Sequence, residues 1–578
     1  MQEILQKKIA DALGVSPEVI SITVPEVDQF GHYSTNVAMR LAKERKMAPL
    51  ELARVFANTL IANNANEKMF AKVEAVKPGF INLWLSDEFL QEQFALPATN
   101  YQLQTTNSPQ TVICEYASCN IAKPMHVGHL RGTIIGDALA NIHDYLGYKV
   151  IRWNYIGDWG TQFGKLILAY KLWGKKEAVE KDPIGEMLQL YVRISAEAKA
   201  NLQLDDQARA EFQKLESGDA ENRKLLEWFK IESLLEFNKN FKRLGVTFDL
   251  EIGESFYEKE LPGVAKELAD KKISQPSEGA VIVSLDKFKL PPALVQKGDG
   301  ASLYLTRDIA NMEYRLKTYS PAKILLVVAN QQALHFEQLF AVCQLMGLAG
   351  AETQHIKFGM VLGPDGKKFA TREGKLIKLE DLMDEIVGKA FVVVRKNNPE
   401  MPEAEVKQIA EIVGIGALKY ADLKENRNSD ITFDWDRMLD LHGDSAPYLQ
   451  YTGVRLLNII RKAGRDPSEY IRMTPGRHSE QSEESRPVLP LDLEKSLMKK
   501  VLDFSDVVKL CAETYYTSHL AKYLFELAKL ANGYYETVRI LDDENMERKT
   551  ARLMLIARVA QTIEKGLGLL GIKVPERI

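Results

Sequence analysis

The sequence predicts an α/β protein: a parallel sheet covered by helices, preceded by a small α+β module and followed by an all-α region. Three observations carry this. The strand-like run Thr111-Val112-Ile113-Cys114-Glu115-Tyr116, an apolar-periodic segment over residues 126–146 and a second strand, Lys149-Val150-Ile151-Arg152-Trp153-Asn154, follow one another as a βαβ unit of Rossmann type. The first ninety residues mix helical spacing with one alternating strand. From residue 401 onward helical patterns dominate and strand character nearly vanishes.

Taken in order, Ile4, Leu5, Ile9 and Leu13 share a helical face, residues 37–60 read as further helix, and Phe80-Ile81-Asn82-Leu83-Trp84-Leu85 alternates as a strand. The polar run 98–110 reads as a linker. The helix of the βαβ unit stops at Gly147. A polar helical insertion over about 175–243 follows. Strand character resumes at Ala280-Val281-Ile282-Val283, and Ile324-Leu325-Leu326-Val327-Val328 is expected in the same sheet. The expected modules are therefore 1–97, 110–395 and 396–578. Ser, Glu, Arg and Pro crowd residues 466–490, which read as an exposed insertion.

Composition narrows the class. The 578 residues carry 75 Lys+Arg against 79 Asp+Glu, a net charge of −4, and 46% are hydrophobic, as in ordinary globular proteins. Cys114, Cys119, Cys343 and Cys511 are scattered and form no CxxC pair, which excludes a disulfide framework and predicts no metal site. The longest aliphatic run, residues 324–329, is far short of the ~20 that a membrane helix needs. Charges among the apolar positions of the first helix read as amphipathic, not as a secretion signal. A cytoplasmic protein is expected. A slightly acidic total says little against a nucleic-acid partner, because binding depends on local basic patches.

The most informative window is Ser118-Cys119-Asn120-Ile121-Ala122-Lys123-Pro124-Met125-His126-Val127-Gly128-His129, between the first strand and its helix. Parallel sheets place their ligands there. His126 and His129, three apart, fall on one face of the first helical turn, where free N–H groups and the helix dipole favour phosphate. Gly128 leaves room between them for a nucleotide to approach the backbone. A metal pair is the alternative, but zinc helices usually place histidines four apart with a glutamate between them. The pattern points to nucleotidyl transfer.

The run from Ser118 through His126-Val127-Gly128-His129-Leu130-Arg131-Gly132-Thr133 resembles the HIGH region of arginyl-tRNA synthetases, which are class I. Asn154-Tyr155-Ile156-Gly157-Asp158-Trp159-Gly160-Thr161-Gln162-Phe163-Gly164 resembles the family's next block. Gly253-Glu254-Ser255, Tyr304-Leu305-Thr306-Arg307-Asp308 and Ser445-Ala446-Pro447-Tyr448-Leu449-Gln450-Tyr451 match in order. The similarity spans nearly the whole chain.

The resemblance implies that His126 and His129, with Gly128, hold the ATP phosphates. The family's KMSKS element corresponds to Asp365-Gly366-Lys367-Lys368-Phe369-Ala370-Thr371-Arg372-Glu373-Gly374. Lys368 fills the first lysine position, but Thr371 stands where the second is usual. Many members share that loss, and a lysine just upstream of HIGH is thought to substitute; here that is Lys123, with Lys367 and Arg372 as further contributors. A guanidinium is planar and always charged, so a carboxylate offering two hydrogen bonds suits it. Asp308 fits that role, with Tyr304 one helical turn earlier. Glu115 and Asn120 match family residues that contact the amino acid, at an end of arginine left open for Glu115, and Ser118 is a candidate close by. Gln332, before the pocket-facing His335, resembles the glutamine near the α-amino group, with Gln331 as the alternative register; Glu254 is a further lining candidate. Cys119 stands where proline is usual, so the loop is less preset in φ. Its thiol is either inert or oxidation-sensitive.

For tRNA, Gln29-Phe30-Gly31-His32-Tyr33-Ser34-Thr35-Asn36 resembles the family's FGDYQ-type loop at the outer corner, with Phe30, Tyr33 and Asn36 as candidates. Tyr448, Gln450, Tyr451 and Arg455 lie within two helical turns of the region resembling the anticodon-binding domain. Arg548, Lys549 and Arg552 offer a second basic patch, and Ile578 a terminal apolar contact. The implied partners are tRNA-Arg, L-arginine and ATP accompanied by Mg2+, in a monomer. Activation is expected to need bound tRNA. Two rivals are a small-molecule nucleotidyltransferase and a catalytically dead paralogue that binds tRNA.

Overall fold

The structure, a computed structural model, describes residues 1–96, 109–296, 304–363, 377–464 and 491–577. The tract at 466–490, the KMSKS-like residues 365–374 and Ile578 lie outside the described residues.

The chain opens with α1 (Gln2–Leu13), β1 (Ile22–Thr23), β2 (Tyr33–Thr35), α2 (Val37–Leu41), α3 (Pro49–Glu67), β3 (Phe70–Val76), β4 (Phe80–Leu85) and α4 (Asp87–Ala95). Helix α1 buries Leu5 and Ile9, one turn apart, and stops at Gly14, whose left-handed φ of 62° suits glycine. The strands form an antiparallel sheet in the order β1-β2-β4-β3.

A parallel sheet carries the middle of the chain. Its strands are β5 (Thr111–Glu115), β6 (Lys149–Ile156) and β7 (Leu250–Gly253), with α5 (Val127–Tyr145) between the first two and α6 (Thr161–Trp173) after the second. Between α6 and β7 stands the helical insertion: α7 (Lys176–Lys181), α8 (Pro183–Ala200), α9 (Leu202–Glu216) and α10 (Ala220–Leu244). Then come α11 (Leu261–Asp270), β8 (Ser274–Ser277), β9 (Ala280–Val283), β10 (Ala293–Gln296), α12 (Tyr304–Tyr319), β11 (Lys323–Leu326), α13 (Ala333–Met346) and β12 (Glu352–His355). The sheet order is β12-β11-β5-β6-β7, every pair parallel. The chain winds outward from β5 in one direction and from β11 in the other, so the gap between their C-terminal ends is a switch point, where such folds bind ligands.

One strand expectation needs correcting. Ala280–Val283 belongs to a separate antiparallel sheet, β10-β9-β8, not to the parallel one. The cause is local: Glu278 and Gly279 both take positive φ, 50° and 82°, and a two-residue turn of that kind joins antiparallel neighbours.

Beyond the sheet lie β13 (Val361–Leu362), α14 (Leu379–Asn397), α15 (Glu403–Leu423), β14 (Ile431–Thr432) and α16 (Trp435–Met438), then the long helices α17 (Ala446–Lys462), α18 (Asp492–Thr514), α19 (Ser518–Thr537) and α20 (Met546–Leu569). The described chain gathers into two compact units. One joins Met1–Leu103 to Leu449–Glu513 and Lys522–Gly566; the other joins Gln104–Tyr448 to Thr514–Ala521 and Leu567–Ile578. In the first, Leu502 of α18 enters the core of the N-terminal module, the Tyr33 hydroxyl bonds Asp503, and the Gln2 N–H donates to Asp506 at 2.9 Å. The N-terminal module and helix α18 thus share one core.

In the second unit, α5 is tied to α15 by two buried ion pairs. Arg131 Nε meets Asp422 at 2.9 Å, both side chains 1% exposed, and Lys419 Nζ lies 3.9 Å from Asp137 while donating to the Gly571 carbonyl at 2.7 Å. Glycine lets α5 lie close on the sheet: a Cβ at Gly136 would stand 2.2 Å from the Tyr116 side chain.

Candidate active site

The switch point is lined by two loops, residues 116–126 after β5 and residues 327–332 after β11. The first loop is strained: Ala117, Ser118 and Ala122 hold positive φ of 69°, 47° and 60°, each costing about 1 kcal/mol or more for a side chain larger than glycine's hydrogen. It is braced by the loop after β6, through Ile121 N–H to Gly157 O at 3.1 Å and Gly157 N–H to Cys119 O at 3.0 Å. A Cβ at Gly157 would lie 2.1 Å from Asn120 Oδ1, so only glycine permits this approach.

His126 is the N-cap of α5. Its Nδ1 accepts the Gly128 N–H at 3.0 Å, and His129 Nδ1 accepts the His126 N–H at 3.0 Å. A ring nitrogen that accepts carries no proton, so each neutral imidazole holds its proton on Nε2. The rings lie 4.0 Å apart, centroid to centroid. Burial lowers the pKa of both; for His129 burial and the neighbouring His126 push it down to about 3. The turn therefore presents two neutral N–H donors beside the positive end of a nineteen-residue helix, an arrangement suited to charge developing on phosphate oxygens. Gly128 serves a different neighbour from the one the sequence suggested: a Cβ there would stand 2.9 Å from the His126 ring, so the glycine makes room for the imidazole itself.

The chain that follows the KMSKS-like run returns to this turn. Val127 N–H donates to Ile377 O at 3.3 Å and Leu379 N–H to Met125 O at 3.0 Å. Lys368 and Arg372 lie outside the described residues, and the chain is next described at Ile377. Lys123 is exposed, its ammonium 5.7 Å from the Tyr191 ring of α8.

Near the ends of β5, β6 and β7 sits a cluster of carboxylates and cations. Asp308 Oδ2 accepts a hydrogen bond from His335 Nε2 across 2.6 Å. Tyr304, one turn earlier on α12, is 55% exposed. Glu254 pairs with Arg307 at 3.4 Å; burial, with Asp308 and Asp158 nearby, pushes its carboxyl up to about 8 despite that arginine. Glu115, which the sequence set near the amino acid, is buried and bonded to Arg315, whose guanidinium lies 4.4 Å over the Trp153 ring. Ser118 Oγ, Asn154 Oδ1, Tyr155 OH and Arg307 Nε are buried with no hydrogen-bond partner among the described residues. Asn120, Gln331 and Gln332 are exposed. Cys119 is buried, and burial raises its thiol pKa far above the ordinary value, which favours the inert reading.

His335 was expected to face the pocket, and Tyr155 and Arg307 fell within the family-like runs, but no role was assigned to Tyr155, Arg307 or Arg315, whose partners are met only in the folded chain. On the RNA side, Phe30 is 46% exposed, whereas Tyr33 is fully buried with its hydroxyl on Asp503 and Lys499 over its ring. Tyr33 therefore offers no face to a base. Asn36 is half-buried, with Oδ1 enclosed. Tyr448 is half-buried and Gln450 buried, whereas Tyr451 on α17 is exposed. Arg455 lies 5.5 Å from the Tyr451 ring and 4.2 Å from that of Tyr535. The second basic patch is neutralised within the chain: Arg548 and Arg552 both bind Asp543, Arg552 also binds Glu494, and Lys549 caps Leu541 O.

A parallel sheet with paired histidines at the helix following its central strand, and a helical region downstream, define a class I aminoacyl-tRNA synthetase. Residues 93–435 match the family "tRNA synthetases class I (R), catalytic domain", residues 449–578 the "DALR anticodon binding domain" and residues 1–85 the "Arginyl tRNA synthetase N terminal domain". The arginine–tRNA ligase of Fusobacterium nucleatum is 40% identical over 96% of this chain and 95% of its own, and that of Streptococcus suis 41% identical over 94% and 93%. Among solved structures, arginyl-tRNA synthetase from Plasmodium falciparum superposes with a TM-score of 0.81 at 25% identity, covering 100% of this chain and 98% of its own. The chain belongs to the arginyl-tRNA synthetase family.

Proposed function

We propose that the chain joins L-arginine to tRNA-Arg in two steps at this switch point. A carboxylate oxygen of arginine attacks the α-phosphorus of ATP, the bond to the β-phosphate breaks, and pyrophosphate leaves. The terminal ribose hydroxyl of tRNA then attacks the carbonyl carbon of arginyl-AMP and releases AMP. The observation that carries this reading is the pair of Nε2–H donors at the head of α5, in the loop that follows β5 at the switch point. His126 and His129 stabilise charge on the phosphates; Lys123 and Lys368, with Arg372, accompany the leaving pyrophosphate. Little covalent chemistry falls to the protein, so positioning and charge stabilisation supply the rate.

Asp308 receives the guanidinium, with Tyr304 beside it, while Ser118, Asn120 and Gln332 attend the α-amino and carboxylate end. Glu115 acts chiefly through Arg315, its partner in the chain. Mg2+ would come bound to ATP as part of the substrate and would neutralise phosphate charge there. Phe30 and the Tyr451–Arg455–Tyr535 group face tRNA. The protein works in the cytoplasm as a monomer; no described helix is long and apolar enough to cross a membrane.

Arginine-dependent ATP–pyrophosphate exchange, with and without tRNA, tests the reading. Exchange only with arginine and tRNA together is expected. Exchange driven by another carboxylate or a small-molecule acceptor would favour a nucleotidyltransferase, and no exchange at all a tRNA-binding paralogue.

A further inference from the structure

The helical insertion carries none of the motif residues named above, yet it touches the loop after β5 and the loop after β6 that braces it. Helix α10 presents Lys230 and Ser233, three residues apart and so on one face. Ser233 is fully buried; its hydroxyl donates to Phe229 O at 2.6 Å and accepts the Ala122 N–H at 3.0 Å. Ala122 holds a left-handed φ of 60°, which a residue with a Cβ keeps only when its surroundings enforce it. The next residue is Lys123.

Lys230 Nζ lies 3.1 Å from Asp158, which is 1% exposed and also accepts from Ser255 N at 2.9 Å and Ser255 Oγ at 2.7 Å. Asp158 follows Gly157, the residue that braces Asn120. One helix face thus grips the loop after β5 through Ser233 and the loop after β6 through Lys230, on both sides of the Asn120–Gly157 bridge.

We infer that Ser233 is a positioning residue of the activation step, through which helix α10 fixes the left-handed turn at Ala122 and so the direction in which Lys123 reaches the phosphates, while Lys230 holds the same helix to the neighbouring loop at Asp158. This rests on the reading of Lys123 as a phosphate-binding cation. A hydrogen bond to a strained turn orients its neighbour without touching substrate, and small errors in such orientation lower rate more than binding.

A double-mutant cycle in ATP–pyrophosphate exchange, with arginine and tRNA present, tests it. Ser233→Ala is expected to lower kcat about tenfold while the arginine KM stays within about twofold. Lys123→Ala alone is expected to lower kcat about a hundredfold. On the Lys123→Ala background, Ser233→Ala should cost less than about twofold more, because the group it orients is gone. Ser233→Thr, which keeps the accepting oxygen, should recover most of the rate. Equal losses from Ser233→Ala in both backgrounds, or none in either, overturn the inference. Full activity in Lys123→Ala overturns the reading beneath it instead. Should Ser233→Ala unfold, Ser233→Cys, of similar volume and a weak acceptor, takes its place in the cycle with the same expected outcomes.

Discussion

In the phosphate turn, the bonds that orient the two imidazoles span two and three residues: Gly128 N–H to His126, and His126 N–H to His129. In the amino-acid pocket the corresponding links span 27 residues from Asp308 to His335, 53 from Glu254 to Arg307 and 200 from Glu115 to Arg315. The two halves also differ in charge. The turn keeps its histidines neutral at the head of a helix and awaits an anion; the pocket gathers carboxylates under burial and awaits a cation. A site that must bring a triphosphate to a guanidinium-bearing amino acid separates these demands in space. The local half survives as a motif, and the distributed half depends on the fold as a whole.

The comparison can be broken first at the anchoring of the turn. Arg131→Met leaves Asp422 buried without its guanidinium and should cost the sheet unit about 3–5 kcal/mol, read by urea denaturation. A shift of under 1 kcal/mol would mean that α15 does not hold α5. Next, His129→Ala removes one donor aimed at the phosphates and should lower kcat for activation about 10²–10³-fold with the arginine KM nearly unchanged. In the unmutated enzyme, kcat/KM for ATP should show no inflexion from these two imidazoles above their ordinary 6.5, because burial lowers both and the free enzyme holds the rings neutral there.

The smaller effect belongs to the pocket. In the empty enzyme Glu254 titrates near 8, above its ordinary 4.5. Between those values the folded chain holds a proton that the unfolded chain has released, so this group's contribution to stability is lost as pH rises through that window. A bound guanidinium favours the ionised form, so arginine binding should release a proton and tighten as pH rises toward 8, by at most about tenfold per pH unit. Calorimetric titration of arginine in two buffers of different ionisation enthalpy reads the released proton. Glu254→Gln should abolish it; an unchanged release would assign the proton elsewhere.

The same division explains what could be read from the sequence. The βαβ unit, the insertion and the His126–His129 turn are encoded within short windows, and so were Tyr304 and Asp308, one helical turn apart. Residues whose role is set by a distant partner were not legible. Tyr33 looked like a stacking tyrosine, but Asp503, 470 residues away, takes its hydroxyl into a buried contact. Arg548 and Arg552 looked like a phosphate patch, but Asp543 and Glu494 neutralise them. The sharing of one core by the N-terminal module and α18 has no local signature either.

The most direct test of the divided site is the pair of KM values for Asp308→Asn in ATP–pyrophosphate exchange with tRNA present. Losing the charge from the guanidinium's acceptor should raise the arginine KM about a hundredfold, while the ATP KM stays within about twofold. An unchanged arginine KM, or an ATP KM rising in step with it, would contradict the account.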